Sequence, residues 1–69
     1  MSEEVEKLKN LATNADLLHS EREKAVEALG DIITKEAALA LLDVAGDVWL
    51  LFSEREKALE QARKILRSL

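Results

Sequence analysis

Four sets of side chains in this sequence have types that can do chemistry. His19 is the only imidazole, Asp43 and Asp47 are carboxylates four positions apart, Ser20 and Ser53 open two identical runs, and Trp49 and Phe52 are the only aromatics. Paired carboxylates on one helical turn can bind a hard cation or carry out acid–base work. The same spacing is that of a solvated stripe on an otherwise apolar helix, and the loop pattern of a calcium-binding hand is absent, so solvation is the reading adopted. A ligating or catalytic imidazole needs partners, and the chain has no Cys and no second His to complete a site. His19 therefore reads as a junction residue near the last carbonyls of the preceding helix. A nucleophilic serine needs a general base positioned against its hydroxyl, and neither serine belongs to a recognisable motif of that kind; both read as helix caps. Trp49 and Phe52, with Val48 and Leu51, can form an interface or line an apolar pocket, since Trp is favoured at interface hot spots. Ordinary core packing is the alternative.

The bulk composition narrows the function classes. The chain has 69 residues, 48% of them hydrophobic and 35% charged, with two Gly and no Pro, Tyr or Cys. One domain of this size buries a marginal core, and neither disulfides nor thiolate metal sites can support it. Packing or self-association must do so. The net charge of −4 argues against nucleic-acid binding, which needs a basic patch. Residues 53–69 are basic on balance, which complements the dipole at the end of a last helix. The acidic N-terminal stretch MSEEVEKLKN does not read as a signal peptide, and the run Ala37–Phe52 is too short and too charged to span a membrane. A cytoplasmic protein without cofactor is expected.

Four helices must position these residues. Val5, Leu8, Leu11, Ala12, Ala15 and Leu18 recur at helical spacing and place a first helix at about 2–18, capped by Ser2. A Ser-Glu-Arg-Glu capping box, in which Ser20 and Glu23 satisfy each other's backbone amides, opens a second at about 20–33. Thr34 caps a third at about 35–52, apolar around most of its circumference and so either central or covering something. Ser53 and Glu56 repeat the box for a fourth at 53–68. Gly30 either ends the second helix or permits a close helix contact.

The helices come in pairs. SEREKA occurs at Ser20–Ala25 and at Ser53–Ala58, and the same offset of 33 also aligns Leu8 with Leu41, Ala12 with Ala45, Leu17–Leu18 with Leu50–Leu51, Glu27 with Glu60 and Ile32 with Ile65. A period of this size marks helical hairpins, so the chain reads as two helix–turn–helix units. The run SEREKAVEALGDI, with Arg22, Ala28, Leu29, Gly30 and Ile32, resembles the first helix of a HEAT-like repeat of the short type found in phycobilisome-lyase-like proteins; Ala37–Leu42 is similar to the helix that follows it there. That resemblance implies stacked helical hairpins. Two copies fall short of the roughly three such stacks need, so a closed, compact four-helix bundle is expected. Repeated caps, acidic helix starts, basic helix ends and the absence of Pro and Cys also resemble a de novo designed or idealised bundle, and equally a thermostable natural protein.

The expected function is a non-enzymatic structural or protein-interaction module, with a homodimer or a protein partner on the Trp49 and Phe52 face. A small binder of apolar ligands or lipids, arranged like a saposin, is the alternative. An enzyme fits least.

Overall fold

The computed structural model describes residues 2–69 and contains four helices: α1 (Glu3–Ala12), α2 (His19–Gly30), α3 (Lys35–Ala45) and α4 (Phe52–Ser68). No strand occurs among the described residues. The protein is an all-α, four-helix bundle built from two helix–turn–helix units, α1–α2 and α3–α4. Its radius of gyration of 10.5 Å is close to the ~11 Å expected of a compact chain of this length.

Two caps lie where the sequence places them. The Ser2 hydroxyl accepts the Val5 amide at 3.3 Å, and the Thr34 hydroxyl accepts the Ala37 amide at 3.2 Å. The other two do not. Helices α2 and α4 begin one residue earlier than expected, with Leu18 and Leu51 as the extended N-cap residues. The backbone amide of Leu18 donates to the Glu21 carboxylate at 2.9 Å, and that of Leu51 to Glu54 at 3.0 Å. Only the carboxylate half of the capping box is therefore built, two residues upstream of the expected position. Ser20 and Ser53 sit exposed inside the first turn, and Glu23 and Glu56 lie beyond it. The expected caps Ser20, Glu23, Ser53 and Glu56 are thus corrected. In each repeat the glutamate that follows the serine, Glu21 or Glu54, makes the cap.

Helices α1 and α3 are shorter than expected, for one shared reason. The Asn14 side-chain oxygen accepts the Asp16 amide at 2.9 Å, and the Asp47 carboxylate accepts the Trp49 amide at 3.0 Å. These turns compete with the helix for backbone donors and take the chain out of it. Asn14 and Asp47 are equivalent under the 33-residue offset. The apolar periodicity that runs on through Leu18 and Phe52 therefore belongs to two loops, residues 13–18 and 46–51. Asp43 and Asp47 do not share a helix face: Asp43 pairs with Lys9 at 2.9 Å, and Asp47 holds its turn.

Helix α1 packs on α2 and α3 but makes no contact with α4 among the described residues. The two hairpins are stacked, α1 beside α3 and α2 beside α4, and α1 and α4 do not close a ring. The core of α2–α4 is rich in small side chains: Ala37, Ala38, Ala40, Ala58 and Ala62 are all fully buried, together with Leu29, Leu41, Val44 and Ile65. Gly30 serves a close contact there. A Cβ at this position would lie 1.9 Å from Oε1 of Gln61 on α4.

Candidate functional site

The one buried charged side chain among the described residues is Glu54, 3% exposed. Its place follows from the cap. As the third residue of α4 it turns back to the Leu51 amide through Oε1, which directs Oε2 toward the facing hairpin. There Arg22 donates to it from Nε and Nη2, both at 2.8 Å, and His19 Nδ1 approaches to 2.7 Å. Arg22 also donates through Nη1 to the carbonyls of Leu17 and Asn14, so it ties the 13–18 loop to the cluster. The imidazole Nε2 lies 3.5 Å from Glu23, which itself approaches Lys57 at 3.8 Å.

Burial works to raise the Glu54 pKa, but the Leu51 amide, His19 and Arg22 together outweigh it and hold the carboxyl below its ordinary value. Glu54 is then ionised at neutral pH and can only accept, so the proton between it and His19 belongs to Nδ1. An imidazole oriented at Nδ1 by a carboxylate resembles the arrangement of a catalytic triad. Here no hydroxyl is hydrogen-bonded to His19 among the described residues; Nε2 faces Glu23. Both carboxylate oxygens of Glu54 accept from protein donors. The geometry is that of a clamp between two hairpins.

The residues singled out for an interface or apolar pocket lie next to this clamp. Trp49 is 91% exposed, and Phe52, Val48 and Leu51 are also well exposed, while Leu50 alone turns inward. The core reading of Trp49 is excluded by the Asp47 turn, which swings it out. Trp49 and Phe52 do not share one hollow. Trp49 borders a recess with Ala15, Arg22 and Glu54, whereas Phe52 borders a hollow of ≈ 260 Å³ with Ala45, Arg55 and Leu59. No cluster of three or more His, Cys, Asp or Glu side chains suited to a metal occurs among the described residues, and no helix is long and apolar enough to cross a membrane.

The clamp was not read from the sequence. The capping-box reading gives the cap to the second Glu of the SEREKA run, whereas the clamp is made by the first, Glu54. Comparison with known proteins finds no family that the chain matches, no curated relative and no solved structure similar to it.

Proposed function

We propose that this chain is a non-enzymatic, HEAT-like helical module whose work is to dock on another polypeptide. The observation that carries this reading is the exposure of Trp49, with Val48, Leu51 and Phe52 around it, on a loop whose backbone is fixed by its own turn. A large aromatic held outward on a hydrogen-bonded turn adds little to the core and has few side-chain rotors to immobilise on binding. Large apolar side chains exposed close together in this way mark interaction sites. The hollow beside Phe52 is smaller than the roughly 300–1,000 Å³ usual for small-molecule sites, which supports a macromolecular partner over an apolar ligand.

The test pairs a variant with a titration. V48S/W49S should keep the helical content and melting temperature of the parent, because neither side chain serves the core. A large loss of stability would contradict the reading. Adding phospholipid vesicles should leave the Trp49 emission unchanged; a blue shift on vesicle binding would favour the lipid-binding alternative.

A further inference from the structure

The two hairpins are related by the 33-residue offset, so each position can be compared in its two settings. In the first hairpin Ala12, Val26 and Gly30 are buried, and Arg22 is nearly so, because the second hairpin covers them. Their counterparts in the second hairpin are Ala45, Leu59, Arg63 and Arg55. Leu59 is 45% exposed, Arg63 is exposed, and Ala45 and Arg55 border the open hollow beside Phe52. The outer face of α3–α4 is thus the counterpart of the covered face of the first hairpin, but it is left open, with Leu59 exposed and Arg63 where the first hairpin has Gly30.

From this open face and the self-complementary pattern along α4 we infer that the outer face of α3–α4 is an interface between two copies of this chain, paired about a twofold axis with their α4 helices antiparallel. The inference rests on the reading of the chain as an interaction module.

The first hairpin of a second copy cannot serve as the occupant. In the internal seam the incoming hairpin presents Ala37 and Ala40, both fully buried. The equivalent positions of the first hairpin are Glu4 and Lys7, whose size and charge oppose so close an approach. Head-to-tail stacking, which would build open filaments, is blocked by that polar end. The α4 face, by contrast, complements itself. Phe52, Glu56, Leu59, Arg63 and Leu66 form one stripe at helical spacing. An antiparallel crossing with Leu59 on the axis sets Phe52 of one copy opposite Leu66 of the other, and Glu56 beside Arg63. Phe52 and Leu66, 73% and 49% exposed, are then covered, and the charges meet with opposite sign. Closed twofold pairing of one patch with itself is the commonest form of assembly.

Sedimentation equilibrium of the full chain over micromolar to millimolar concentrations tests this. The parent should fit a monomer–dimer equilibrium with no larger species. E56R and R63E should each weaken the dimer by about tenfold or more, as disrupted interfacial charge pairs do. The double variant E56R/R63E should restore it, because the swapped charges still meet across the axis. Circular dichroism confirms that each variant keeps its helices. A parent that stays monomeric throughout, or that grows beyond dimers, overturns the proposal, and so does a dimer insensitive to both single changes. V48S/W49S should leave the dimer intact, so failure of the dimer and failure of the docking surface at Trp49 are separate results.

Discussion

Glu54 illustrates how one side chain can serve local and tertiary structure at once. Its Oε1 starts a helix and its Oε2 holds the opposite hairpin. Replacing it by Gln keeps the shape but removes the charge that Arg22 and His19 need. Because the group is buried, E54Q should cost about 1–3 kcal/mol in urea unfolding at pH 7. S20A and S53A should each change stability by less than about 0.5 kcal/mol, since neither hydroxyl caps a helix. If the serine variants lost as much as E54Q, the helices would start where the serines are.

The pH dependence follows from the same carboxyl. Its folded pKa lies below the ordinary value of 4.5. The unfolded chain therefore binds protons first as pH falls, so the contribution is full above that value and lost as pH drops through the folded pKa. The parent should lose stability more steeply below pH 4.5 than E54Q does. Equal slopes in the two proteins would exclude Glu54 as a source of acid sensitivity. At the alkaline end Lys9 and Lys57 act in the opposite sense: hydrogen bonds to Asp43 and Glu27 raise their pKa values, so their contributions persist below the ordinary value of 10.5 and fade as pH climbs above it. Both pairs are partly exposed, so these contributions are small.

At the scale of elements, helix number and the caps at Ser2 and Thr34 were legible because periodicity and cap chemistry are local. The ends of α1 and α3 were not. Ala15, Leu18 and the run Val48–Phe52 continue the apolar period, and nothing in that pattern shows that Asn14 and Asp47 divert backbone amides to their own side chains. The repeat held the missing hint, since both residues are short polar side chains at the same register. N14A and D47A should each loosen their loop, and D47A should let α3 extend toward Val48, visible as new helical chemical shifts at 46–48. Unchanged shifts there would mean that the turn is set by other contacts. Gly30 is the second element-scale case. The Gln61 side chain of α4 lies where a Cβ at Gly30 would be, a contact that sequence could pose only as one of two options. G30A obliges Gln61 to move, and G30V should destabilise by about 1–3 kcal/mol, the usual cost of overpacking. A thermal melt of G30V matching the parent would show that the seam has slack.

For the molecule as a whole, the sequence supports two hairpins and an excess of apolar surface, and the structure shows how these are arranged. The hairpins stack without closing, which leaves one end polar, with Glu4 and Lys7, and the other apolar, with Leu59 and Phe52. That asymmetry depended on register between distant segments and was not visible from local pattern. It also accounts for the apolar residues expected in a long third helix: Ala37, Ala38, Ala40, Leu41 and Val44 are buried, and the expected last turns are a loop that carries Trp49 outward.

The central claim is that Trp49 belongs to a surface kept for a partner and not to the core. Its quenching by acrylamide in the dilute, folded chain tests this most directly. The quenching constant should be close to that of a free tryptophan amide, with emission typical of indole in water. A blue-shifted, poorly quenched Trp49 in a chain shown to be monomeric would contradict it.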